Sequence, residues 1–465
     1  MRRVALLLTL LLALTAVGCG SRVDDADDGG GGGSDDGLSA EEDGGDPDGG
    51  GDEADAGAND DLTPESEELV TIPNPCSGDT GEGELPADTP GVSDDTIRIG
   101  VISDRENPAV PLPTVGIEEA VKAFVEFCNE AGGINGRTLE LETYDSMISA
   151  TDDVTKQACN DDLFALVGTG SVQDQLGIET KEGCGLPEVA GYSATSSRAE
   201  SADFFTSVPG LSATEYNVGP CQYIAEKFPD AVKKAAMLYT DLPAASVRGQ
   251  QIVEGCTAEA GFEYVVEEAL AFGETNFGPV VEQMQEAGVE YFTMVSATSE
   301  TLAVLREMET QGVEIEVLDL GQQYYDPNFG AEPVTDGAYV LSNTAPFSEA
   351  DDNPTLRLYQ EYLEKVDGVE STLGVQAFSS GLLFATALDA LGNDITRDGL
   401  VTELEGITEW DGGGLNIVGS PGTNETIDCF LYLRVEGGEF VRDHPEEGYD
   451  CDPAYIHTSD ERFEN

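Results

Sequence analysis

Basic side chains and histidine are scarce in this chain, and each scarcity removes a class of function. There are 21 Lys+Arg against 92 Asp+Glu, a formal charge of −71 at pH 7. Displacing counterions from phosphates needs lysine and arginine, so this balance excludes non-specific nucleic-acid binding. It also excludes adhesion to anionic lipid through a polybasic patch. The two histidines, His444 and His457, sit near the carboxyl end and leave no imidazole for catalysis or a metal site in the main body. None of the nine cysteines forms a Cys-x-x-Cys pair, which disfavours thiol redox chemistry and structural zinc. No catalytic residue, metal or cofactor is therefore expected. Beyond the amino terminus, no stretch reads as long and apolar enough to span a bilayer.

What is present begins with an address. Met1-Arg2-Arg3 is a short basic region, and residues 4–17 are an almost unbroken apolar run. Fourteen residues span about 21 Å as a helix, short of the roughly 30 Å hydrocarbon core, so residues 1–18 read as a signal peptide. Its end, Ala16-Val17-Gly18-Cys19, resembles a bacterial lipobox, with Cys19 as the lipidated residue and Ala16 in place of the usual Leu. Residues 20–95 hold 25 acidic side chains, 17 glycines and one basic residue, Arg22. They show no apolar period, and residues 19–95 read as a disordered, lipidated tether with a reach of about 50 Å. A calcium-binding acidic tail is the alternative for that tract. The remainder keeps a large acidic surplus, a surface property suited to a saline or alkaline exterior.

At 465 residues the chain exceeds what one core organises, and its body alternates buried strands with amphipathic helices. Strands are expected over 96–103, 139–144, 164–168, 187–191 and 204–208, with helices at 117–131, 151–160 and 173–184 between them. Thr151 or Asp152 caps the second helix. The pattern then restarts, with strands over 235–239, 264–270, 291–295 and 316–320. Helices beginning at Ser246, Phe277 and Thr301 separate them. Two successive βαβ sets predict an α/β chain of two Rossmann-like lobes built on parallel sheets.

Ligands in such sheets lie beyond the carboxyl ends of the strands. Those positions read Gly168-Thr169-Gly170-Ser171-Val172, Gly191-Tyr192-Ser193-Ala194-Thr195-Ser196 and Ser296-Ala297-Thr298-Ser299. Short hydroxyls and free N–H groups there suit carboxylates or phosphates, or else cap the next helix.

The segment Gly132-Gly133-Ile134-Asn135-Gly136-Arg137, between a helix and the strand Thr138-Leu139-Glu140-Leu141, resembles a turn of the branched-chain amino-acid type of ABC-transporter solute-binding proteins. This is the Leu/Ile/Val-binding family with the periplasmic binding protein type I fold. The element order from Thr96 to about Arg442, the late helix at 381–392 and Gly437-Gly438 in a terminal hairpin are also similar. The resemblance implies lobes joined by three hinge crossings, near Ser207-Val208-Pro209, residues 339–342 and residues 420–428. Lobe I then combines 96–208 with 342–421, lobe II combines 209–341 with 426–442, and 443–465 is a tail. It also implies a monomer, exported and lipid-anchored to the outer face of the cytoplasmic membrane, that touches the membrane only through its anchor. Such a protein captures an amino acid, amide or related carboxylate and delivers it to an ABC permease and its ATPase.

By position, the family's carboxylate donors fall on Ser171 or Val172, with Ala194 and Thr195. Pro113, Tyr192, Ser246, Ala297 and Tyr324 complete the expected wall, Tyr324 and Tyr325 packing an apolar part of the ligand. Where amino-acid binders of the family place an acid for the ligand ammonium, this chain has Gln322 or Gln323. A buried ammonium without a carboxylate partner is costly, which points to a neutral ligand or a carboxylate lacking the amine. Asp319 lies nearby but inside its strand, where it is expected to terminate the sheet. In the same topology Cys159 and Cys184 lie on neighbouring helices and should bridge. Cys221–Cys256 and Cys429–Cys451 follow from sequence neighbourhood, which leaves Cys76–Cys128.

Two other functions use the same residues. A ligand-sensing surface lipoprotein would close in the same way without transport. A serine hydrolase would use Ser193, one residue short of a Gly-x-Ser-x-Gly elbow, but His444 is the nearest histidine in sequence. The acidic surplus itself makes a prediction: screening by added sodium chloride should raise the melting temperature of the mature chain, and a flat or falling melting temperature would remove the saline-habitat reading.

Overall fold

The structure is a computed structural model that describes residues 61–78, 81–105 and 114–464. The expected leader 1–18, the lipidation site Cys19, most of the tether and Pro113 lie outside the described residues.

Part of the expected tether is body. Strands β1 (Glu68–Leu69) and β2 (Ile72–Pro73) pair antiparallel, and Leu69 and Cys76 are fully buried in the lobe I core. Leu62, Leu85 and Val92 pack on the same core. Thr89 donates its hydroxyl to the Ile395 carbonyl at 3.1 Å, and Cys76 is disulfide-bonded to Cys128. The composition of 61–95 is that of a solvated chain. Its few apolar residues follow neither a strand nor a helix period, so the sequence pattern does not mark them as core.

Lobe I follows from alternation. Strands β3 (Thr96–Ser103), β4 (Thr138–Asp145), β5 (Ala165–Val167), β6 (Glu188–Ala190) and β7 (Phe204–Thr206) form a parallel sheet in the order β4-β3-β5-β6-β7. Successive side chains leave opposite faces of a strand. Ile97, Ile99 and Val101 therefore enter the core shared with helix α1 (Val115–Glu130), while Ile102 packs with Val154 and Ala158 of α2 (Thr151–Asn160). Helix α3 (Ile178–Cys184) is joined to α2 by Cys159–Cys184, and the short α4 (Ser196–Ala199) follows β6. Between α1 and β4, Gly132, Gly133, Asn135 and Gly136 all have positive φ. A Cβ on Gly133 would stand 2.0 Å from the Arg137 carbonyl oxygen, so only glycine fits that turn.

Lobe II opens with β8 (Glu215–Asn217) and α5 (Gly219–Lys227). Its sheet then builds from β9 (Ala235–Thr240), β10 (Tyr264–Leu270), β11 (Tyr291–Val295), β12 (Val317–Leu320) and β13 (Tyr339–Ser342), which are parallel. Helices α6 (Pro243–Ala260), α7 (Gly278–Ala287) and α8 (Thr298–Gln311) connect them, and the short α9 (Pro327–Gly330) precedes β13. The chain then returns to lobe I through α10 (Pro354–Lys365), α11 (Thr372–Ala390) and α12 (Arg397–Gly406), whose side chains fill the core under β3 and β5. Contrary to the sequence expectation, α11 is long and apolar enough to cross a membrane. In the lobe, however, 83% of its apolar window is buried, as in the central helix of a globular core.

Strands β14 (Cys429–Glu436) and β15 (Glu439–His444) complete sheet II as an antiparallel hairpin beside β13. The chain thus passes between the two sheets three times: after β7, after β13 and before β14. The segment expected to be a tail is paired backbone: β16 (Asp450–Cys451) lies on β14 and β17 (Ile456–Thr458) on β8. These runs of two and three residues offer no sequence period, and an open strand edge supplies their hydrogen bonds. Cys429–Cys451 closes β16 on β14, and Cys221–Cys256 ties α5 to α6.

The Cys76–Cys128 bridge is the covalent hold on 61–78. Replacing both cysteines by serine should destabilise the mature protein by roughly 2–4 kcal/mol and open residues 61–95 to limited proteolysis. An unchanged cleavage pattern would show that packing alone holds the segment.

Candidate functional site

The carboxyl ends of β3, β5 and β6 face those of β9, β11 and β12 across a cavity of about 290 Å3. Lobe I contributes Ile148, Val172, Tyr192, Ser193 and Ala194. Lobe II contributes Leu242, Arg248, Ile252, Met294, Ser296, Ala297, Gln322 and Gln323. Of the residues singled out in the sequence, the fold brings Val172, Tyr192, Ala194, Ala297, Gln322 and Gln323 to this wall.

It places four others elsewhere, each for a local reason. Ser171 is buried in a hydroxyl knot, 3.0 Å from Ser146 Oγ and 3.1 Å from Thr151 Oγ1. Thr195 caps α4, accepting the Arg198 N–H at 3.2 Å. Ser246 turns back in the first turn of α6 and donates to the Thr240 carbonyl at 3.3 Å. Tyr324 is fully buried, its hydroxyl 2.7 Å from Thr301 Oγ1 and 3.1 Å from the Met294 carbonyl oxygen. The helical turn at Gln322–Tyr324 sends the two glutamines outward and the tyrosine into the core. Tyr325 also points inward, stacking on Phe347 at 4.3 Å and accepting its N–H. Neither tyrosine is available as a ligand platform. Pro113 falls outside the described residues.

The donors that the resemblance reserves for a ligand carboxylate are filled by the protein itself. Asp104, buried at the end of β3, accepts the Val172 N–H at 2.7 Å, the Ile148 N–H at 2.6 Å and the hydroxyls of Ser146 and Ser171. Asp174 accepts the Ala194 N–H at 2.7 Å, the Thr195 hydroxyl at 2.5 Å and the Ser193 hydroxyl at 3.3 Å. Burial pushes the Asp174 carboxyl up to about 6, against the pull of Thr195, Arg198 and the Ala194 N–H. Sequence reading missed both aspartates because their partners arrive from loops that only the sheet brings together.

Two acids line the lobe II side, and both are likewise engaged. Glu300 accepts the hydroxyls of Thr240 and Ser296 and, at 2.8 Å, the Gly273 N–H. Asp319 lies inside its strand as expected, but it does not terminate the sheet. β12 continues between β11 and β13 because Tyr291 and Tyr432 donate their hydroxyls to Asp319 at 2.7 and 2.9 Å. Burial still pushes this carboxyl up to about 6. Gln322 Oε1 accepts from Gln376 Nε2 of α11 at 2.8 Å, so one of the two glutamines that stand where the resemblance expects an ammonium partner is spent on a link between the lobes.

The Ser193 hydroxyl is directed at Asp174 and the Thr195 carbonyl, and no histidine is among the described cavity residues. His444 instead stacks on Tyr223 and bonds Asp450, and His457 lies between Glu254 and Glu259. Among the described residues no group of three or more His, Cys, Asp or Glu is placed to hold a metal ion.

Residues 96–439 match a family model described as periplasmic binding protein. Solved structures similar to this chain include a fatty acid ABC transporter substrate-binding protein from Thermomonospora curvata, at 18% identity and TM-score 0.68 over 80% of this chain and 97% of that one. A solute-binding protein of an R. palustris ABC transporter in complex with 4-hydroxybenzoate matches at 17% and 0.64, over 77% and 98% of the two chains. The branched-chain amino acid transporter substrate-binding protein of Streptococcus pneumoniae in complex with isoleucine matches at 16% and 0.63, over 77% and 99%. No curated protein matches the sequence. At such identities the likeness is one of fold.

The raised carboxyls give the site a pH signature. An unfolded aspartate titrates near 4, so between about pH 4 and pH 6 the folded chain holds more protons at Asp174 and Asp319 than the unfolded chain does. Their contribution to stability therefore falls as pH rises through that window, by up to roughly 3 kcal/mol per group. Relative to the parent protein, Asp319→Asn should gain about 2 kcal/mol in denaturant unfolding between pH 4.5 and pH 7.5. An equal difference at both pH values would show that Asp319 is an ordinary carboxylate.

Proposed function

Because this chain belongs to the periplasmic binding protein family, we propose that it is an extracytoplasmic solute-binding protein that closes two lobes on a small amphipathic molecule and hands it to an ABC permease and its ATPase. The observation that carries the reading is the cavity at the strand ends of both lobes, lined by side chains of each, with no histidine among its described residues. Lobe closure about three crossings is the motion such an arrangement uses. The signal sequence and Cys19 tether the protein outside the cell, where an acidic surface and four disulfides suit an oxidising exterior.

The names of the similar structures span a fatty acid binder, a ring carboxylate complex and an amino-acid complex, so the residues of this cavity must choose the ligand class. They disfavour an α-amino acid at both of its charges. Ammonium recognition lacks an acid at Gln322 and Gln323, and the lobe I carboxylate donors belong to Asp104 and Asp174. The wall left over is largely apolar, with Ile148, Val172, Leu242, Ile252, Phe272 and Met294.

A thermal-shift screen of the mature chain, followed by titration calorimetry, tests this. Apolar amides or carboxylates of modest size should raise the melting temperature, and leucine and isoleucine should leave it within a degree. Submicromolar leucine binding would overturn the ligand class, and loss of no uptake on deletion of the gene would overturn the transport role.

A further inference from the structure

Charge in the cleft is unevenly settled, and the exception is a cation. Of the described lysines and arginines, fifteen make ion pairs. Arg137 and Arg397 instead donate to backbone carbonyls. Arg248 does neither. Among the described residues it makes no hydrogen bond and no ion pair, although it is half-buried in a chain with more than four acids for every base. It is also the one cation among the described residues that line the cavity.

Its position is built. Arg248 projects from the second turn of α6, and its guanidinium carbon lies 4.5 Å from the centroid of the Tyr216 ring, which is buried in the same wall. Stacking on an aromatic face fixes the plane of a guanidinium while leaving its fork of N–H donors free. The two carboxylates lining the cavity cannot serve as its partner: Glu300 is taken by Thr240, Ser296 and Gly273, and Asp319 by Tyr291 and Tyr432. Two more donors on the cavity wall are also left over, since the hydroxyls of Thr206 and Thr426 are buried without a partner.

We propose that Arg248 is the seat of an acidic group on the ligand, so that this protein takes an amphipathic anion and holds its charged end with lobe II. The proposal rests on the solute-binding reading and deepens it. It reverses the polarity that the resemblance implies, in which lobe I holds the carboxylate. Lobe I in this chain has spent those donors on Asp104 and Asp174, and a second anion beside them would meet like charge. A planar fork facing a carboxylate forms two parallel charge-assisted hydrogen bonds, the geometry that favours arginine over lysine. The apolar remainder of the ligand then lies along Leu242, Ile252 and Met294.

Paired probes test this on the mature chain: octanoate with octanamide and benzoate with benzamide, titrated into the parent protein, Arg248→Gln and Arg248→Lys. The parent should bind at least one acid tenfold or more tightly than its amide. Arg248→Gln should lose at least tenfold for that acid and leave the amide unchanged, whereas Arg248→Lys should keep part of the preference. Melting temperatures of the three proteins report whether they are folded, and the lysine variant carries the test if the glutamine variant is not. Equal binding of acid and amide, or an acid preference that survives in Arg248→Gln, overturns the assignment. So does a wider screen in which only neutral compounds bind, an outcome that leaves the solute-binding reading standing. A screen in which no small molecule binds removes both.

Discussion

Two buried carboxylates, Asp104 and Asp174, organise the lobe I side of the cleft. Asp104 gathers the loop after β4 and the loop after β5 onto the end of β3. Asp174 gathers the loop after β6 onto the segment that leads into α3. A carboxylate deprived of water must collect donors, and these loops supply backbone N–H groups and hydroxyls at 2.5–2.7 Å. The loops are thereby fixed in place, and their polar groups are consumed before any ligand arrives. What remains facing the cavity is mostly Cβ and ring surface.

Lobe II settles its own acids in the same way but leaves a base over. Asp319 lies in a parallel strand with two tyrosine hydroxyls on it, and Glu300 holds the β9 and β11 ends together from the first turn of α8. Arg248 has only a ring to lean on. The cleft is thus polar on one side and satisfied on the other, an asymmetry that the near-twofold repetition of βαβ units does not suggest. Gln322 and Gln376 meet across the opening. Because they are neutral, their hydrogen bond is a modest contribution, of about 1 kcal/mol, which lobe opening can break.

The fold was legible because buried parallel strands and amphipathic helices write their period directly into the chain. The turn at Gly132–Gly133 was legible because a positive φ next to a carbonyl admits one residue type. The edges of the fold were not. Leu69 and Cys76 enter the core from a stretch whose composition is that of a solvated linker, and β16 and β17 are too short to carry a period. In the cleft, position in the motif located the loops but not the direction of their side chains. Ser171, Thr195, Ser246 and Tyr324 all sit at the expected strand ends, yet each turns inward to satisfy a neighbour.

By itself, then, the sequence determined the α/β class and the doubling into two lobes, since these depend on local periodicity. Only the tertiary structure decided who bonds whom. Asp104 and Val172, Asp319 and Tyr432, and Arg248 and Tyr216 are far apart in the chain and meet because separate strands deliver them to one place. Hydrogen bonding is a short-range force, and whether a polar group is free for a ligand or already satisfied depends on neighbours that chain order does not reveal.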